Sequence, residues 1–159
     1  MTNYVTTNGL NDGNFQSERQ FAQSISRTID FSKFTTTGVA GVAADTADVL
    51  TIPAGFVVES VFTQIIASST TSSSTFGVGD SSSSVGYLPN TTSATAAAGT
   101  MTSASGAYLF TTFATTPAVT AVTAAGKAYA TADTVRVVLG TTAPLNGKVK
   151  IVVRGFTVV

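Results

Sequence analysis

The sequence contains no cysteine, no histidine and no tryptophan. Without cysteine there is no disulfide framework, no thiolate metal site and no thiol nucleophile. Without histidine the commonest general base and the commonest transition-metal ligand are missing. Charge is also scarce. Eight basic and eight acidic side chains cancel, and charged residues make up 10% of the chain, against roughly 25% in an average soluble domain. A neutral chain lacks the basic footprint of a nucleic-acid-binding domain, so no nucleic-acid partner is expected. No apolar run approaches the ~18 residues of a membrane span, so no membrane partner is expected either. The start, MTNYVTTNGLNDGNF, has neither the basic nor the apolar region of a secretory signal.

What fills the 159 residues is Thr and Ser, 46 together, and 22 Ala. Val, Ile, Leu and Phe make up about a quarter of the chain, above the level of a disordered one. The length suits one domain with an appended arm. Residues 1–35 hold six of the sixteen charges and four of the ten Phe: Phe15, Phe21, Phe31 and Phe34. Ser17-Glu18-Arg19-Gln20 has capping-box spacing, and Phe21, Ile25 and Ile29 follow at intervals of four. That spacing permits a short helix over 17–26. Residues 1–35 therefore read as an extended or partly helical N-terminal arm, and 36–159 as the body.

The body reads as β. Val49–Ile52 is a short strand stopped by the turn Pro53-Ala54-Gly55. Phe56–Ala67 follows, apolar on both faces, and so reads as a central strand covered on both sides. Ala107–Ala114, Gly126–Ala132 and Asp133–Leu139 have strand patterns. Gly140–Gly147 reads as a hairpin connection. Lys148–Val159 alternates, with Val149, Ile151 and Val153 inward and Lys148, Lys150 and Arg154 outward. Residues 90–106, almost wholly Thr, Ser, Ala and Gly, fit either a flexible loop or a small-residue strand packed against a neighbour. Seven or eight short strands with regular turn signals make an all-β protein, a jelly-roll-like β-sandwich.

Few residues suggest chemistry. Gly77-Val78-Gly79-Asp80 lacks the Lys-Ser/Thr of a phosphate loop and reads as a strand end and turn. Asp45, Asp48 and Asp80 have no calcium-loop spacing, and no metal site is expected. Glu59, amid apolar strand residues, reads as an ion-pair partner of Arg136 or a lysine rather than a glycosidase carboxylate. No serine sits in a nucleophile elbow. No catalytic residue and no cofactor is expected. Arg136, Lys148, Lys150 and Arg154, on neighbouring strands, read as a shared basic face: a solvated outer face, a surface turned to an acidic partner, or a polyanion site. The clearest interaction signal is apolar: Phe15, Phe21, Ile25, Phe31 and Phe34 on a polar arm read as a surface covered by a partner or a neighbouring subunit, or else as side chains docked back onto the chain's own sandwich.

The stretch Ala47 to Val58, an apolar strand running into Ile52-Pro53-Ala54-Gly55 and then a second apolar strand, resembles a pattern in small structural proteins of tailed bacteriophages. Phe76-Gly77-Val78-Gly79-Asp80, Tyr87-Leu88 and the ending Gly147 to Val153 are similar to that group as well. The resemblance covers roughly residues 30–159 and points to capsid decoration or cement proteins. It implies a β-sandwich, made in the host cytoplasm, that sits as a homotrimer on the outer capsid surface. Its implied partners are the major capsid protein and itself. The related alternative is a head-fibre, tail or baseplate protein that binds a host receptor or glycan.

Overall fold

The structure, a computed structural model, describes residues 23–36, 39–103, 108 and 126–157. The strands are β1 (Gln23–Asp30), β2 (Thr35–Thr36), β3 (Val39–Ala40), β4 (Thr46–Ile52), β5 (Phe56–Ala67), β6 (Thr75–Gly79), β7 (Leu88–Ser93), β8 (Met101–Ser103), β9 (Lys127–Ala128), β10 (Asp133–Leu139) and β11 (Lys148–Thr157). One sheet has the order β1-β11-β5-β8, with β9 also paired to β5. The other has the order β4-β10-β6-β7, and β2–β3 form a small separate pair. All pairings are antiparallel.

The partners are nested along the chain: β1 with β11, β4 with β10, β5 with β8 and β9, β6 with β7. A long antiparallel ribbon rolled across two layers has this order, and it is the double Greek key of a jelly roll. The all-β sandwich read from the strand and turn pattern is therefore the observed fold.

The core lies between the sheets. Val58, Val61, Ile65, Val149, Ile151 and Val153 meet Ile52, Phe76, Val78, Val135, Val137 and Leu139, all buried. Along β11 the inward residues alternate with Lys148, Lys150 and Arg154, as the period-2 pattern requires. Two sequence expectations change. Residues 23–26 belong to strand β1, where the spacing also permitted a short helix; Ile25 and Ile29 lie opposite Val153 and Val149. A spacing of four is a multiple of the strand period as well as close to one helical turn, so the spacing alone could not choose. Gly140–Gly147 is not a hairpin connection: β10 pairs with β4 and β6, β11 with β1 and β5, so the segment crosses between sheets. Asn146 secures the crossing by accepting from the Thr70 N–H at 2.8 Å and donating to Thr70 Oγ1 at 2.6 Å.

The Ser/Thr/Ala/Gly stretch 90–106 supplies the end of β7 and all of β8, so small residues here do form paired strands. Of the strand expected at Gly126–Ala132, only Lys127–Ala128 is paired. The one expected at Ala107–Ala114 lies outside the described residues apart from Tyr108.

Candidate functional site

Three regions compete as sites: the predicted arm residues, a buried polar cluster at Asp80, and the outer faces of the two sheets. Phe15 and Phe21 lie outside the described residues. Ile25 is half-buried on β1, packed against the core. Phe31, 2% exposed, is part of the core, its ring 5.5 Å from Phe76 and 6.0 Å from Phe34. Phe34 is half-buried against the same cluster. Of the two expectations for the arm aromatics, Phe31 follows docking onto its own sandwich. Its burial already contributes about 1.5–3 kcal/mol within the lone chain. A short 3-10 turn, Phe31–Lys33, drives the ring inward; Asp30 caps it by accepting from the Ser32 N–H at 3.1 Å.

Asp80 ends β6 and is fully buried. Its Oδ1 accepts from the Ser82 and Ser83 N–H groups at 2.9 and 3.0 Å and from the Tyr108 hydroxyl at 2.9 Å. Its Oδ2 accepts from the Tyr129 hydroxyl at 2.6 Å and pairs with the Lys127 ammonium. Tyr87 in turn meets the Tyr129 hydroxyl at 2.5 Å. The Lys127 nitrogen sits 3.8 Å from the Tyr108 ring centroid. Burial pushes the Asp80 carboxyl up, but the hydrogen bonds from Lys127, Tyr129, Ser83 and Tyr108 pull it down further, and it ends below its ordinary 3.8. Burial lowers Lys127, yet its partners, Asp80 first, raise it overall. Both tyrosine hydroxyls, Tyr87 and Tyr129, are raised, chiefly by burial.

A carboxylate with five donors is saturated, so Asp80 is a fastener rather than a base. It ties its own turn to Tyr108 and to Lys127 and Tyr129, the residues that flank segment 109–125. No local motif announces this. The three distant partners, Tyr108, Lys127 and Tyr129, lie 28 to 49 positions from Asp80, and only the fold gathers them. The other two aspartates of the calcium trio are elsewhere: Asp45 accepts from the Val42 N–H at 2.9 Å and Asp48 from Arg136 Nε at 2.7 Å.

A groove of about 660 Å³ runs between the edge strands β1 and β4, lined among others by Arg27, Lys33, Phe34, Asp45 and Asp48. Arg27 spans it and donates to the Val49 carbonyl at 3.2 Å. An arginine directed inward between two edge strands is a device that discourages edge pairing.

The outer faces differ. Over β6, Gly77 and Gly79 let the chain's own next segment lie on the sheet. A Cβ on Gly79 would stand 1.8 Å from the Ser83 carbonyl oxygen, and one on Gly77 would stand 2.9 Å from the Asn90 backbone. This close approach is what the Gly77-Val78-Gly79-Asp80 motif serves. On the β1-β11-β5-β8 sheet the outward rows are Thr28-Lys150-Gln64-Met101 and Ser26-Val152-Phe62-Ser103, followed by Ser24-Arg154-Ser60. Phe156 and Val57 form a further row with Ala128. Met101 is 60% exposed and Ile66, on the same strand as Phe62, is 43% exposed. The Arg154 guanidinium lies 5.5 Å from the Phe62 ring. The expected four-residue basic face is therefore divided. Lys148, Lys150 and Arg154 share this face, whereas Arg136 lies in the other sheet, paired with Asp48. Glu59 is exposed and joins none of the three ion pairs among the described residues.

No family model and no curated protein matches the chain. Its fold matches a chain of the solved structure described as "Cyanophage Pam1 capsid asymmetric unit", with a TM-score of 0.60 and 21% identity over 87% of this chain and 86% of that one.

Proposed function

We propose that this protein is a structural component of a bacteriophage virion: a decoration or cement protein that binds the outer capsid surface as a homotrimer and stabilises the shell. The observation that carries the reading is the likeness of the whole jelly roll, over 87% of the chain, to a chain in a cyanophage capsid structure. The motif resemblance around Ile52-Pro53-Ala54-Gly55 and Gly77-Val78-Gly79-Asp80 supports it independently. In this reading the protein is not an enzyme and needs no cofactor. Its partners are the major capsid protein and its own copies.

The mechanism is multivalent clamping. Residues 1–22, with Phe15 and Phe21, precede the edge strand β1 and reach the capsid or a neighbouring subunit. One such contact is weak, because the general cost of association offsets most of what two or three apolar side chains contribute. Three arms on one rigid body raise avidity by roughly 10²–10⁴.

The test is co-sedimentation of the protein with expanded shells that lack it, together with light scattering of the free protein. Binding to shells and a mass three times 16.1 kDa are expected. A free monomer that ignores the shells overturns the reading. An arm truncation has to stop at residue 22, because residues 23–30 are β1 and part of the sheet. That truncation is expected to weaken shell binding and leave the sandwich folded.

A further inference from the structure

We infer that the outer face of the β1-β11-β5-β8 sheet is a docking surface for an acidic protein surface, with Phe62, Arg154, Lys150 and Met101 at its centre; this rests on the function proposed above, the partner being the shell.

Three observations converge on this face. The first is that it is too apolar for a solvated sheet. Val57, Phe62, Ile66, Met101, Val152 and Phe156 all lie on it, on three adjacent strands. Met101 and Ile66 are exposed and Val57, Phe62 and Phe156 half-buried, while Val152, 7% exposed, is already covered by its neighbours. A sheet with one solvated face ordinarily alternates polar residues outward, and a contiguous exposed apolar patch marks an interaction site.

The second is the charge around the patch. Lys150 and Arg154 flank Val152 and Phe62, and among the described residues neither pairs with a carboxylate. Lys148 continues the row, held by Asp30 at 3.5 Å. Among the described residues, Glu59, on the same central strand, is the one other carboxylate there and is exposed. Two cations with no carboxylate partner among the described residues, set about an apolar centre, complement a partner that presents carboxylates around an apolar side chain.

The third is the anchor. An arginine stacked on a phenylalanine at the middle of the patch joins side chains enriched at the energetic centres of interfaces. The stack also holds the Arg154 guanidinium in place before any partner arrives, which lowers the ordering cost of binding.

The test uses the full chain and shells lacking it. K150E/R154E is compared with K33E, a charge reversal away from this face, and with M101E, which adds one carboxylate at a residue already exposed. Thermal melting checks that each variant is folded. The account expects K150E/R154E to weaken shell binding by at least about tenfold, M101E to weaken it as well, and K33E to bind as the parent does. Parent-like shell binding by folded K150E/R154E and M101E overturns the inference while leaving the proposed function standing. Failure of the parent chain itself to bind shells overturns both. If K150E/R154E instead changes the mass seen by light scattering and leaves shell binding intact, the face joins copies of this chain and the acidic shell partner is wrong. If the parent's affinity is matched by anionic lipid vesicles or duplex DNA, the face reads phosphate and the inference is again wrong.

Discussion

The two sheets of this sandwich have similar inner faces and dissimilar outer ones. Both contribute Val, Ile and Phe side chains to one core. Outside, strand β6 of one sheet is roofed by its own chain, while Asp48 and Arg136 on the neighbouring strands of that sheet stay in reach of solvent. Glycines at 77 and 79 admit the covering segment, and Asp80 fastens its turn and two distant stretches beneath one end. The other sheet carries Phe62, Met101 and Ile66 outward with no described element over them. The difference separates two uses of apolar and small residues. One face is finished by the fold, and the other is left for a partner.

The largest effects should come from the roofed side. Replacing Asp80 by Ala removes the acceptor of five donors and leaves Lys127 unpaired among aromatic rings, a change expected to cost about 3–5 kcal/mol; chemical denaturation measures it. Gly79→Ala should cost about 1–3 kcal/mol, because the added carbon meets backbone and the covering segment has to move. On the open side, Met101→Ser should change stability by less than about 0.5 kcal/mol, so that any loss of shell binding is a loss of contact and not of fold. A large destabilisation by Met101→Ser would erase the contrast between the faces.

Acid offers a further way to separate them. The Asp80 carboxyl is held below its ordinary 3.8 in the fold, so its stabilisation is complete above that value and is lost as pH falls from there through the lowered value. Asp80→Asn should flatten this acid limb of a pH-stability curve, whereas K150E/R154E should leave it in place. At the edge between the sheets, Arg27→Ala removes one hydrogen bond and should cost only about 0.5–1.5 kcal/mol. It should also increase self-association through the β1 and β4 edges, measurable by light scattering.

How much of this could be read from the residues follows the range of each signal. The alternation in Lys148–Thr157 and the long apolar run of Phe56–Ala67 are local, and both strands appear where the pattern puts them. The run also read as covered on both faces; the fold buries one face, and the exposed one is the feature on which the inference rests. Phe31 read as an arm residue because its neighbours are polar, yet its burial depends on Phe76, 45 positions away. The Asp80 cluster was not legible at all, since Tyr87, Tyr108, Lys127 and Tyr129 meet only after the ribbon is rolled. Gly77 and Gly79 were visible as a motif, but their cause is a backbone laid across the sheet, which no spacing encodes.

The most direct measurement exploits the scarcity of methionine, of which the chain has two, Met1 and Met101. Peroxide converts an exposed Met side chain to its sulfoxide, and mass spectrometry of the peptide carrying Met101 follows the rate in free protein and in protein bound to shells. The account predicts rapid oxidation of Met101 in the free protein and strong protection once it is bound. An equal rate in the two states, with binding confirmed in the same sample, would contradict it.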